Sequence, residues 1–350
     1  MLRASARRNQ TLKIFVCEFI TSGGLYRAEV PESLAKEGLM MRDALQGDLA
    51  EIADIEIVCC HDARFPAPAA RHVVTLDAVD DIWHLWQAMI RESDAVWPIA
   101  PETGGVLSRL SGLAVAEGRM LLGCAPSTVD IAASKLKTAQ LLQAAGVSVA
   151  TTETGHEWLQ HKSSQPHAGT AWVIKPDDGV SCDDTVYLAS VEEATVWLRN
   201  GREMSHVVQP YLPGEAISLS MLCRDGQAWL LSCNRQKITL ADGRFAYRGG
   251  IVNGANEHYE ILNRLAQQIA AAMPDLAGYI GVDVLLEDGV VPALTVLEIN
   301  PRLTTSYAGL HAAIGVNPAL LLLQMMRADK DALSRFKLPQ LKQNIVEITL

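Results

Sequence analysis

The chain has 350 residues, 49% hydrophobic and 20% charged, enough for two or three domains with cores of their own. Forty acids against 30 Lys and Arg leave a net charge of −10, which disfavours nucleic acid and anionic membrane as partners, and no basic run makes a local exception. The seven cysteines include no CxxC pair and no zinc-like spacing, and no apolar run approaches the ~18 residues of a membrane span, so a cytoplasmic protein with reduced thiols is expected.

The first residues, MLRASARRNQTL, are basic and without acids; residues 1–11 read as a disordered leader or an early start site. Leu12–Ile20 is a near-continuous apolar run ending in Thr21-Ser22-Gly23-Gly24, which predicts a buried parallel strand and a glycine turn. Ligands in open α/β sheets sit at the carboxyl ends of strands, so Ser22, Gly23 and Gly24 are either substrate contacts or a tight turn only. A helical stripe over Leu34–Ile52, a strand at Ile55–Cys59, a helix at Asp80–Arg91 and a strand at Ala95–Ile99 continue the alternation. That last strand runs into Pro101-Glu102-Thr103-Gly104-Gly105 before a helix at Val106–Glu117. Glu102 is placed either to hold a substrate amine or to cap that helix. The pattern to about residue 126 is that of a small doubly wound domain.

Lys135–Ala145 predicts a helix ended by Gly146, with Lys135 in its first turn. A cation there opposes the helix dipole unless something negative, such as a nucleotide phosphate, lies nearby. Trp172–Lys175 is an apolar strand that ends in a lysine, then an acidic loop with Gly179 and Ser181. A lysine closing a buried strand is costly unless its ammonium is paired. Val207–Gln209 is a short strand followed by Pro210, Tyr211, Leu212 and Glu215, and its prolines suit an edge open to a flat base. Ile217–Cys223 and Ala228–Cys233 predict a hairpin around Asp225-Gly226. Asn234–Val252 reads as a long cationic loop, carrying Arg235, Lys237, Arg244 and Arg248, that either closes over a phosphate site or is simply solvated. Asn256–Met273 is an amphipathic helix, and Asn317–Met326 an apolar one.

Between those helices, Val282–Leu286 and Leu294–Ile299 flank a turn at Glu287-Asp288-Gly289. Each apolar run carries an acid that a buried strand would exclude, Asp283 and Glu298. Side chains alternate along a strand, so Glu298 and Asn300 share a face. A turn over Glu287 to Ala293 sets Asp283 opposite Glu298. Three oxygen ligands in apolar surroundings are what a hard cation such as Mg²⁺ takes.

Two lysines forty residues apart, a Gln-Pro-Tyr-Leu hinge with an acid beyond it, and Asp…Glu-x-Asn, in this order over residues 12–325, resemble the ATP-grasp superfamily. Within it, GVDVLLEDG…VLEINPRLTTSY, WPIAPETGG and IKPDDGVSC look most like the tyramine–glutamate ligase group of methanofuran-type cofactor biosynthesis. The resemblance implies an α/β (α+β) fold: a doubly wound pre-ATP-grasp domain over 12–126, a lid over 127–205 and an antiparallel C-terminal subdomain over 206–350. It implies that Lys135 and Lys175 hold phosphates, Gly179 and Ser181 cover them, Gln209, Tyr211 and Leu212 read adenine, and Glu215 holds ribose. Asp283, Glu298 and Asn300 would bind two Mg²⁺, or Mn²⁺ in their place. Arg302, helped by Lys237 or Arg248, would stabilise the transferring phosphoryl group, and Ser22–Gly24, Glu102, Thr304, Thr305 and Ser306 would select substrate. The implied reaction is ATP-dependent joining of a carboxylate to an amine, glutamate to tyramine or tyrosine in the leading version, with a homodimer as one open assembly. Another small acid, a non-catalytic ATP-binding regulator and a kinase on the same fold are the alternatives. The chain departs from the family in having Ser134 before the first lysine, Ala216 after Glu215, one glycine in the phosphate loop, and Gly281 where D-alanine ligases carry arginine.

Overall fold

The computed structural model describes residues 11–77, 81–161, 170–180, 182, 184–287 and 293–350. The expected leader (apart from Thr11), Ser181, and Asp288-Gly289 of the expected turn lie outside the described residues.

Strands β1 (Leu12–Glu18), β2 (Ile55–His61), β3 (His72–Thr75), β4 (Ala95–Ile99) and β5 (Met120–Leu121) form a parallel sheet in the order β3-β2-β1-β4-β5. Helices α1 (Glu32–Ala50), α2 (Ile82–Arg91), α3 (Val106–Ala116) and α5 (Lys135–Ala144) come in the order the periodicity predicts, and α4 (Pro126–Ala133) is a further helix before α5. The continuous apolar character of β1 has its cause in this wrapping. Ile14 and Val16 enter one core with Leu45 and Leu49 of α1, while Phe15 and Cys17 enter another with Trp86, Ile90 and Leu107. Asp81 caps α2 by accepting from Trp83 and His84 N–H, so its acid belongs to the helix start.

The second sheet has ten strands. Strands β6 (Glu153–Thr154), β7 (Trp172–Pro176), β8 (Val186–Leu188) and β9 (His206–Pro210) form one part, with α6 (Gly155–His161) and α7 (Val191–Arg199) and a core of Trp158, Trp172, Ile174 and Val208. Strands β10 (Glu215–Arg224), β11 (Gln227–Ala241), β12 (Arg244–Val252), β13 (Gly278–Glu287) and β14 (Ala293–Asn300) form the other, in the order β14-β13-β10-β11-β12. A single registered pair, Arg244 with Val186, joins the two parts. The cavity described below is lined by residues of both parts. Helix α8 (Tyr259–Ala272) packs beneath β10 and β11, and β15 (Val346–Thr349) pairs with β12.

One expected element is corrected here. Asn234–Val252 is not a long loop but the end of β11, the turn at Asp242-Gly243 and all of β12. Its polar sequence conceals a period of two: Gln236, Ile238 and Leu240 line the cavity, and Lys237 lies between them on the opposite face.

Helices α9 (Tyr307–Ile314) and α10 (Pro318–Arg327) lie on the other face of α1, and α11 (Lys330–Ser334) follows. Buried Asp48 of α1 accepts from Tyr307 Oη at 2.8 Å and contacts His311 Nδ1 at 2.7 Å, which ties the first sheet to the chain end. Among the described residues no single helix is long and apolar enough to cross a membrane; α9 and α10 pass that test only together, bent by 95°.

Candidate active site

The β13–β14 hairpin forms the floor of a cavity of about 410 Å³. Asp283 pairs directly with Glu298, as the spacing predicts, and Gly281 pairs with Asn300. Between Asp283 and Val284 the register slips by a bulge, so Leu297 and Glu298 both line the cavity together with Asn300. Gly281 is required by a close approach: a Cβ there would lie 2.5 Å from Thr304 Cγ2. An arginine at that position would expel the Thr304 turn from the floor.

Asp283 is the centre of the polar cluster. Its Oδ1 accepts from Gln236 Nε2 at 2.9 Å and its Oδ2 from Asn300 Nδ2 at 3.2 Å. Burial, then the neighbouring Glu298 carboxylate, pushes the Asp283 carboxyl well above its ordinary range. Burial would raise Glu298 too, but Lys135 and Lys175 outweigh it and hold that carboxyl down to about 2. Two part-buried carboxylates side by side cannot both ionise cheaply, so alone they share a proton. A divalent cation removes that conflict. Two carboxylates and an amide oxygen, with the cavity open above them, fit Mg²⁺.

Above the floor are the two lysines. Ser134 caps α5 by accepting from Lys137 N–H at 3.1 Å, and its hydroxyl donates to Asp177 Oδ2 at 2.6 Å. Asp177 also accepts from Leu136 N–H at 2.9 Å, so the acid missing before Lys135 is supplied from the 177–179 loop. Lys135 Nζ donates to the Gly179 carbonyl at 2.7 Å and lies 3.6 Å from Glu298 Oε2. Lys175, 9% exposed, is lowered by burial against the opposing pull of Glu298. Both ammonium groups border the cavity and border the acid floor, an arrangement that accepts the oxygens of a polyphosphate.

Beyond Val208 the outer edge of β9 is no longer paired with β6, and Gln209, Tyr211 and Leu212 line the cavity there. Gln209 Nε2 donates to Thr152 Oγ1 at 2.8 Å, and Tyr187 meets Tyr211 edge to face at 5.0 Å. At the other end Arg302 is held by Glu102: Nε and Nη2 each lie 3.0 Å from Oε2. Glu102 is 4% exposed, and its Oε1 has no hydrogen-bond partner among the described residues. Of the two readings of Glu102, helix cap or substrate contact, neither describes what it does here. It orients Arg302. Thr304, Thr305 and Ser306 line the cavity next to it, with Thr305 Oγ1 2.8 Å from Tyr247 Oη.

Several expected residues are not brought here. Ser22, Gly23 and Gly24 form a packed turn, with Ser22 donating to the Cys60 carbonyl and accepting from Trp86 Nε1 at 3.1 Å. Glu215 is bound by Arg235 on the opposite face of β10, and Ala216 occupies the cavity side. Lys237 pairs with Glu347, and Arg248 is exposed and reaches Thr239 Oγ1. All three fail for one reason: on a strand, neighbours face opposite ways, and their neighbours Ala216, Gln236 and Tyr247 took the cavity side. Gln236, Asp177 and Glu37 of α1 are the residues that motif reasoning missed. An alternation count over Gln236–Leu240 would have found the first.

A family model described as an ATP-grasp domain matches residues 132–306, half of the chain, and one described as a pre ATP-grasp 3 domain matches residues 55–129. The chain belongs to the ATP-grasp superfamily. No curated protein matches its sequence. Among solved structures it is similar to an ATP-grasp superfamily protein from Archaeoglobus fulgidus, at 22% identity and a TM-score of 0.68, covering 96% of this chain and 99% of that one. It is similar to an L-amino acid ligase from Bacillus licheniformis at 16% identity and a TM-score of 0.65, covering 93% and 76%. It is also similar to the N5-carboxyaminoimidazole synthetase of Staphylococcus aureus complexed with ADP, at 12% identity and a TM-score of 0.66, covering 96% and 80%. At these identities the likeness is one of fold. ATP-grasp proteins are ATP-dependent ligases and carboxylases that bind ATP with Mg²⁺, and the parallel sheet followed by a large antiparallel sheet is the architecture of that family.

Proposed function

We propose that this ATP-grasp protein is a carboxylate–amine ligase that forms an amide through an acyl phosphate. The observation that carries this reading is the acid floor of Asp283, Glu298 and Asn300 set against Lys135 and Lys175, with Arg302 fixed at its rim. A protein that only senses nucleotide has no use for a carboxylate pair on the cavity floor and an Arg302–Glu102 ion pair beside it.

A carboxylate does not condense with an amine directly, because oxide is too poor a leaving group. Its oxygen attacks the γ-phosphorus of ATP and ADP leaves; the amine nitrogen then attacks the acyl carbon, loses a proton, and phosphate leaves. Neither step needs a protein nucleophile. Lys135 and Lys175 neutralise the phosphate chain, and Arg302 meets charge on the transferring group, together worth several kcal/mol in a dry site. Asp283, Glu298 and Asn300 would hold Mg²⁺, which would supply the remaining positive charge. Gln209 and the open edge at Tyr211 and Leu212 receive the base, and the rim at Thr304–Ser306 receives the carboxylate.

For the substrates, the motif likeness favours glutamate as the acid and an aromatic amine such as tyramine or tyrosine as its acceptor. ADP release measured with glutamate against a panel of amines is the test. Amine-dependent ADP and an amide product support the reading; ADP without amide marks a kinase, and no turnover with any acid–amine pair removes the ligase assignment.

A further inference from the structure

We propose that Asp178 is a positioning residue: it joins the turn after β7, which faces the phosphate site, to the turn that carries Glu102, and so fixes where Arg302 stands relative to the nucleotide phosphates. This rests on the ligase reading above for the role of Arg302, and adds to it a residue that does not itself line the cavity.

Two neighbouring aspartates tie the turn at 177–179 in two directions. Asp177 ties it to the start of α5, accepting from Ser134 Oγ at 2.6 Å and from Leu136 N–H at 2.9 Å. Lys135 Nζ adds to that side by donating to the carbonyls of Gly179, at 2.7 Å, and Asp177, at 3.3 Å. Asp178 reaches the first sheet instead. Its Oδ2 accepts from Gly104 N–H at 3.0 Å, and its carbonyl accepts from Thr103 Oγ1 at 2.8 Å. Two bonds on one residue, one of them to a carboxylate, fix an orientation as well as a distance.

Thr103 and Gly104 come directly after Glu102, in the turn that follows β4. Gly105 N–H donates to the Glu102 carbonyl at 3.0 Å and Leu107 N–H to that of Pro101 at 3.1 Å, so residues 101–107 close on themselves and move as a unit. Gly104 has a φ of +64°, which glycine adopts without strain. Glu102 holds Arg302 through Oε2 alone, and its Oε1 has no hydrogen-bond partner among the described residues. The place of this carboxylate therefore follows its backbone, and the place of Arg302 follows the carboxylate. Hydrogen bonds run from Lys135 through Asp177 and Asp178 to Gly104, and the turn carries that hold to Glu102 and Arg302. Without the Asp178 carboxylate, the lysine side keeps its bonds to Asp177 and the Glu102 turn keeps its own. Only the spacing between them is released. A misplacement of about 1 Å at a reacting group can cost about a hundredfold in rate, so that spacing matters to phosphoryl transfer.

The experiment compares the full-length wild type with Asp178→Ala, Asp178→Asn, Glu102→Gln and the double variant Asp178→Ala/Glu102→Gln. ADP release is followed with ATP, Mg²⁺ and the acid–amine pair that wild type turns over. Asp178→Ala is expected to lower kcat about tenfold while KM for ATP stays within about twofold, because Lys135 and Lys175 still hold the phosphates. Asp178→Asn keeps an oxygen that accepts from Gly104 N–H, and should recover most of the loss. The double variant should lose little more than the worse single one, since both changes act through Arg302. A kcat for Asp178→Ala within about twofold of wild type, an equal rise in KM for ATP, or losses that multiply in the double variant overturns the inference. Hydrogen exchange read by mass spectrometry, in the presence of ADP and Mg²⁺, decides the link without turnover. Asp178→Ala should speed exchange in residues 101–107 and also in residues 300–306, with the thermal midpoint retained. Faster exchange confined to the first segment, none in either, or faster exchange throughout the chain with a lowered midpoint overturns it. Whether wild type forms ADP and amide tests the ligase reading separately.

Discussion

Two hairpins of the large sheet flank β10 and border the same cavity, yet they were unequally visible. The β13–β14 hairpin places acids inside apolar runs, and an acid where a strand should be greasy can only be expensive or functional. The β11–β12 hairpin alternates apolar residues with polar ones and carries four cations, so it resembled a loop, and its cations looked like phosphate ligands. In the structure its cavity face is Gln236, Ile238, Leu240, Phe245 and Tyr247, and its cations face outward. The lesson is that on a strand the type of a residue says little about reaching a site until its parity is known.

That contrast can be broken or sharpened by substitution. The largest effect is expected for Glu298→Gln, which removes one of the two floor carboxylates. Turnover should fall by about a thousandfold or more with the far-UV spectrum and thermal midpoint retained. Near-normal turnover would take Glu298 out of the metal floor. Next is Glu102→Gln, which leaves Arg302 in place without its anionic partner. A loss of about tenfold or more in kcat, with KM for ATP moving much less, would mark positioning of Arg302; equal change in both would point to general loosening of the loop. Gln236→Ala removes a hydrogen bond to Asp283 and should cost about tenfold in metal affinity or activity, read by titrating Mg²⁺ in steady-state assays. The smallest effects belong to Lys237→Ala and Arg248→Ala. Both should stay within about twofold in kcat/KM, and the exposed Lys237–Glu347 pair should cost at most about 1 kcal/mol in a denaturant melt. A tenfold loss of activity in either would return the outward face to the site and erase the distinction between the hairpins.

The same rule of parity explains Glu215. Its place after the hinge was legible, but β10 begins with it facing Arg235, and a single residue of register separates a cavity ligand from a surface pair. Ser22–Gly24 failed differently. The carboxyl end of β1 was located correctly, but α1 sits on it so closely, at Gly38 against Glu18, that the turn is closed and the helix itself lines the cavity. Ser134 shows a substitution in space: the acid absent beside Lys135 in the chain is present as Asp177 from another loop.

From sequence alone came the alternation of strands and helices, the strand ends, the pairing of Asp283 with Glu298, and the two lysines, because each rests on local periodicity or on a side chain too costly to bury without a purpose. Tertiary structure alone decided that Glu102 holds Arg302 across 200 residues of chain, that Gln236 supports Asp283, and that α1 supplies Glu37. Those are contacts between elements, set by how sheets pack and which face each strand presents. No property of a residue and its neighbours in the chain encodes them.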